Sequence, residues 1–246
     1  MQAPDAAVAD ESTRRLRALV RAALSRGIWS IIALQLLLGV VMRVPADDAG
    51  VMALVRTMLL LIAIAGVLYG TAGMSAALAA GREAISVSTM AQAGRAVFSP
   101  FLWLIIKAGL LGVAVLQVIL TIIIATSNQD PNQAIAQLPA YVMPLAALFG
   151  FVLVYWMPVV FYRRDFRLFT TLAEALRMIW SRLAAAGFLA LLTLAPSVLA
   201  WMLGGRGGAP VAFVLQAIAS LLAWTAYVYC VEWLQDTNPA KSAPIS

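Results

Sequence analysis

The chain has 246 residues, 63% of them apolar and 11% charged, and a mean hydropathy of +0.92. Soluble domains are about half apolar and a quarter charged, so this composition excludes a water-soluble globule and demands a membrane. There is no His and a single Cys, Cys230, which excludes imidazole acid–base chemistry, His-ligated metals, an internal disulfide and a thiolate cluster. No cofactor is implied.

A spanning helix needs about 20 apolar residues. In chain order, six stretches meet or approach this: Ile28–Met42, Val51–Ala80, Phe101–Ala125, Ala140–Val160, Leu183–Leu203 and Val211–Val231. The first is short, so Arg26 and Arg43 at its edges are expected to snorkel outward. Its length also suits a signal peptide, but Arg43-Val44-Pro45 offers no small-residue cleavage site. The second exceeds one crossing. Its Gly66 and Gly70 form a G-x-x-x-G pair, extended by Gly73, Ala77 and Gly81, which predicts close packing against a neighbouring span or a second copy of the chain. Pro144, Pro158 and Pro196 predict kinks in spans four and five. Gly204-Gly205-Arg206-Gly207-Gly208 reads as an external turn, since it lacks the Lys-Ser/Thr of a phosphate loop. Cys230 reads as a packing residue.

The net charge of +6 follows from where the cations fall, and nucleic acid is not needed to explain it. Arg14, Arg15, Arg17, Arg21 and Arg26 precede span one, Arg82 and Arg95 follow span two, and Arg163, Arg164, Arg167, Arg177 and Arg182 lie between spans four and five. Lys241 follows span six, while the opposite side holds only Arg43 and Arg206 together with Asp47, Asp48 and Asp130. The positive-inside rule therefore predicts both termini in the cytoplasm of a bacterial inner-membrane protein. Trp29, Trp103, Tyr155, Trp156, Tyr162, Trp180 and Trp233 gather at the same boundary, as an aromatic belt should.

The chain also resembles itself. A shift of 82 residues lays Arg82-Glu83 on Arg164-Asp165, Thr89–Arg95 on Thr171–Arg177, and Val97-Phe98-Ser99 on Ile179-Trp180-Ser181. A shift of 74 lays Arg21, Ala22, Ser25 and Trp29 on Arg95, Ala96, Ser99 and Trp103. Three tandem units follow, over about 12–81, 82–163 and 164–235, with a tail over 236–246. Each is read as a short cytoplasmic amphipathic helix followed by a two-span hairpin. The expected fold class is thus all-α, a polytopic six-span membrane domain of three parallel repeats. Thr171 with Glu174, and Thr89 with Gln92, have the capping-box spacing and predict where two amphipathic helices begin. In the third unit Leu168, Leu172, Leu176, Ile179 and Leu183 share one face, with Arg167, Thr171, Glu174 and Arg182 directed elsewhere. Such a helix lies in the interface with its Arg residues at lipid phosphates.

The pattern Arg-acidic, then Thr-x-Ala-[Gln/Glu]-Ala-x-Arg before an apolar span, with Met157-Pro158-Val159-Val160-Phe161-Tyr162 upstream of the third copy, resembles the membrane domain associated with glycerophosphodiester phosphodiesterases. It is similar as well to uncharacterised bacterial six-span inner-membrane families built on this plan. The resemblance implies a multi-pass inner-membrane protein. The catalytic domain of the phosphodiesterases has no counterpart in this chain, so it implies no catalytic residue.

Arg21, Arg95 and Arg177, each followed four residues later by Ser25, Ser99 and Ser181, are the candidate contacts to lipid headgroups or to a cytoplasmic protein partner. Their structural reading is that they end an interface helix and set the turn into the span. Lys107 is the candidate intramembrane polar site, with snorkelling to the interface as its plain alternative, and Arg56 is expected to do the same near the opposite boundary. Glu232 is expected to be hydrated beside Trp233. No acidic residue falls at a midplane position, which counts against a pump or ion-coupled carrier. The expectation is a non-enzymatic membrane component that contacts lipid or a partner. A permease-like subunit served by a separate ATPase is the alternative, and a lipid enzyme fits least, for want of convergent polar groups.

Overall fold

The computed structural model describes residues 4–43, 50–82, 85–127, 150–181 and 208–237, with isolated helical positions between 187 and 202. All secondary structure among these residues is helical. The helices are α1 (Pro4–Leu24), α2 (Arg26–Arg43), α3 (Val51–Ala79), α4 (Val87–Ser127), α5 (Gly150–Arg163), α6 (Leu168–Ser181) and α7 (Gly208–Thr237). Apolar runs long enough to cross a bilayer lie in α3, α4 and α7, and the α1–α2 pair, bent by 67° at Ser25, qualifies as a fourth. The chain is a membrane-embedded helical protein. Most of span five and residues 140–149 of span four, with Pro144 and Pro196, lie outside the described residues. Pro158 is buried within α5, which runs through it from Gly150 to Arg163.

The expected amphipathic helices take three different forms. The first is α1, which breaks from α2 at Ser25, and the third is α6. The second is not a separate element. It is continuous with span three in the 41-residue α4, which extends about 60 Å at 1.5 Å per residue, twice the hydrocarbon thickness. Apolar residues continue without a break past Ser99, and Pro100, in the helix interior, does not end it. Both predicted capping boxes are corrected. α4 starts at Val87 because Ser86 Oγ accepts the Thr89 N–H at 3.2 Å, and the cap therefore lies three residues before Thr89. α6 starts at Leu168, and Thr171 and Glu174 are spent on tertiary bonds described below.

Two helices end in the same backbone motif. At the end of α3 the Gly81 N–H donates to Leu78 O and the Arg82 N–H to Ala77 O, with Gly81 at φ +75°. At the end of α5 the Arg164 N–H donates to Phe161 O and the Asp165 N–H to Val160 O, with Arg164 at φ +51°. This Schellman arrangement satisfies carbonyls that a helix end otherwise leaves orphaned, and it needs a left-handed residue. Glycine takes that conformation freely at position 81, whereas arginine at 164 bears a steric cost.

α3 and α4 form the most extensive antiparallel pair. The small residues allow it, though Gly66 and Gly70 are not the tightest of them. Ideal Cβ atoms there would lie 3.7 Å from Leu34 and 3.2 Å from Ile31, both side chains of α2. At Gly73 a Cβ would be driven into the Met90 carbonyl of α4. Gly94 faces back, 3.1 Å from the Tyr69 ring on the same measure. Tyr69 then donates its hydroxyl to Ala91 O at 2.6 Å and meets Phe98 edge-on at 5.2 Å.

The core sits at one end of the helices. It gathers Ala18 and Ala22 of α1, Ile28 and Ile31 of α2, Met74 and Ala77 of α3, Phe101 and Leu104 of α4, Trp156 and Val160 of α5, and Val228 and Val231 of α7. Beyond this zone the helices expose long apolar side chains, among them Leu61 and Ile62 of α3, Leu110 and Val118 of α4, and Val214 of α7. In water such faces would be untenable, and hydrocarbon is the solvent they fit.

Candidate functional site

Arg21, Arg95 and Arg177 do not share an environment. Arg95 and Arg177 are exposed on α4 and α6. Arg21 turns inward. Its Nη1 lies 3.2 Å from Glu232 Oε1 of α7, and its Nη2 donates to Arg82 O at the end of α3 at 2.9 Å. One guanidinium thereby joins α1, α7 and the α3–α4 connection. The pair is largely buried, with 20% and 14% of the two side chains exposed, and the expected hydration of Glu232 is corrected accordingly. Ala18 and Ala22 are small enough to let α1 settle against α7, which brings Arg21 within reach.

The serines differ as well. Ser25 occupies the break between α1 and α2, accepting the Trp29 N–H on its carbonyl at 3.3 Å. Ser181 ends α6 and donates its hydroxyl to Met178 O at 2.9 Å. Ser99 is exposed within uninterrupted α4 and ends nothing. Trp29, placed by its sequence position in an aromatic belt, also donates its indole N–H to Ala23 O at 2.7 Å, closing one of the last carbonyls of α1.

Lys107 is exposed on α4 among outward apolar residues such as Ile106 and Leu110. Arg56 departs from the snorkelling expectation, because it reaches across to α2 and donates to Val41 O at 3.4 Å and Met42 O at 3.1 Å. Those are terminal carbonyls of a helix, where a cation is favoured by both hydrogen bonding and the helix dipole.

The α5–α6 corner carries bonds that sequence reasoning missed. Thr171 does not face outward. Its hydroxyl is buried, accepts the Trp156 Nε1–H at 2.7 Å and donates to Arg167 O at 2.7 Å. Arg163 donates through Nε and Nη2 to Glu174 Oε1 at 2.9 and 2.7 Å. Asp165 takes the Arg167 guanidinium, which holds its carboxyl below the usual carboxylate range. The available signal was the capping-box spacing itself, read as a local bond when both residues pair across the corner. Replacing Thr171 with Val should leave a buried indole N–H without an acceptor and cost about 1–3 kcal/mol. Thermal unfolding in detergent would measure this, and adding Trp156→Phe should recover part of the loss.

The arrangement is therefore an internal clasp at Arg21, a cross-linked corner at α5–α6, and a rim of exposed cations comprising Arg17, Arg26, Arg82, Arg95, Arg164 and Arg177. Among the described residues no three Cys, Asp or Glu side chains are grouped to hold a metal ion. No family model, curated protein or solved structure matches the chain.

Proposed function

We propose that the chain is a non-catalytic component of the bacterial inner membrane with six spans and both termini cytoplasmic, which contacts phospholipid through its basic end. The observation that carries this is the rim of exposed Arg residues around a packed core, below helix halves whose exposed side chains are apolar. Cations at the headgroup level and apolar faces in the acyl region are what a lipid-contacting membrane component requires. The three-unit plan draws support from the amphipathic character of α1 and α6. The likeness to the membrane domain associated with glycerophosphodiester phosphodiesterases belongs to the same reading.

Native mass spectrometry after gentle extraction tests it. Phospholipid should remain bound, and Arg95→Ala with Arg177→Ala should remove most of it. Arg21 is left unchanged, because its loss would report on the clasp instead. A stoichiometric ATPase retained in place of lipid would overturn the proposal in favour of a transport subunit.

A further inference from the structure

We infer that α6 rides in the headgroup–acyl boundary of an anionic leaflet, with Phe169, Ala173, Leu176 and Trp180 as its lipid-facing edge. This rests on the lipid-contact reading above and names the surface and the lipid class. Fourteen residues at 1.5 Å each extend only about 21 Å, too short to cross the hydrocarbon. The rotation of the helix is fixed from inside. Leu168, Thr171, Ala175 and Met178 are buried, and the Trp156–Thr171 and Arg163–Glu174 bonds lock that face to α5.

What remains outward is a second apolar stripe. Positions 169, 173, 176 and 180 follow the i, i+4, i+7, i+11 spacing of one helix face, and Phe169 is 71% and Trp180 76% exposed. The face predicted from the leucines alone is thus not the one presented: Leu168 is in the core, and Leu176 belongs to the outer stripe. An aromatic residue near each end suits the headgroup level. The polar flank selects the charge. Arg177 stands exposed beside the stripe, Arg164 is exposed just before the helix, and the one acid of α6, Glu174, is neutralised by Arg163. The flank is therefore net positive, and an anionic headgroup complements it. α1 repeats the design independently, with Leu16, Val20 and Leu24 outward beside exposed Arg17 while Ala18 and Ala22 are buried.

The full chain, with Cys230→Ser, would carry a nitroxide on single cysteines at 169, 170, 173, 176, 177 and 180. It would be reconstituted in phosphatidylcholine vesicles with and without phosphatidylglycerol. With phosphatidylglycerol, oxygen accessibility should exceed nickel-chelate accessibility at 169, 173, 176 and 180, and the order should reverse at 170 and 177. Omitting phosphatidylglycerol should lower the oxygen-to-nickel ratio at the stripe several-fold. In the chain that keeps Cys230, Trp180→Phe should abolish a component of fluorescence quenched by brominated lipid. High nickel accessibility along the stripe overturns the inference, as does low accessibility to both reagents, which would mean that protein covers it. An unchanged ratio without phosphatidylglycerol overturns the anionic selection. If the stripe is wet while phospholipid still survives native mass spectrometry, this inference falls alone; if neither measurement finds lipid, the parent reading falls too.

Discussion

Glu232→Ala should lower stability by about 2–4 kcal/mol, among the largest losses available to a single substitution outside the apolar core. Breaking a buried ion pair from one side costs about 3–5 kcal/mol, because the remaining charge is left desolvated without its partner. The partial exposure of both side chains and the Arg21 bond to Arg82 O place the expectation at and below the lower end of that range. Arg21→Met should be similarly harmful, since it strands the carboxylate. The double variant Arg21→Met with Glu232→Leu should regain most of the loss, because two apolar side chains can replace a buried pair at little net cost. Thermal melts of the unaltered protein, Arg21→Met, Glu232→Leu and the double variant in one detergent form the thermodynamic cycle. Additive losses would show that the two residues do not act as a pair.

Gly73→Ala should be as damaging through a different term. The added methyl would meet the Met90 carbonyl, with Met90 C 2.9 Å and Gly94 N 3.1 Å away. These are backbone atoms of a helix, so no rotamer change relieves the contact, and α3 and α4 must separate. Overpacking costs about 1–3 kcal/mol and sometimes more, and backbone on the receiving side places this case at the upper end. Gly109→Ala is the control. Nothing lies within 4 Å of its Cβ position, and alanine is the better helix former by about 1 kcal/mol. Equal melting temperatures for the two variants would contradict the close approach of α3 and α4.

How much of this the sequence discloses depends on the range of the interaction. Helical character, the bounds of α2 and α3 and the position of α7 follow from apolar length, a local property. The amphipathic segments are visible too, but not which side of each is already occupied. α6 has apolar residues on two opposite faces, and only its bonds to Trp156 and Arg163 decide which one is used internally. The union of the second amphipathic segment with span three is hidden because Arg95 and Ser99 have the spacing of a helix terminus. Neither residue stops a helix when the turns on both sides favour one. Among the site residues, Arg21, Arg95 and Arg177 look equivalent by spacing. Their difference lies in Glu232, 211 residues from Arg21, which no periodicity connects. The carbonyls that Arg56 satisfies are equally invisible, because they belong to the backbone of another helix.

That separation bears on how the protein is made. A ribosome delivers α1 long before α7 exists, so throughout synthesis the Arg21 guanidinium has no Glu232 to meet and α1 has no Ala-fitting surface to settle on. Docking of α1 against α7 is therefore a late event in synthesis. Until α7 is made, Ala18 and Ala22 have no surface of α7 to be buried against, and Arg21 keeps only the carbonyl of Arg82 within its reach.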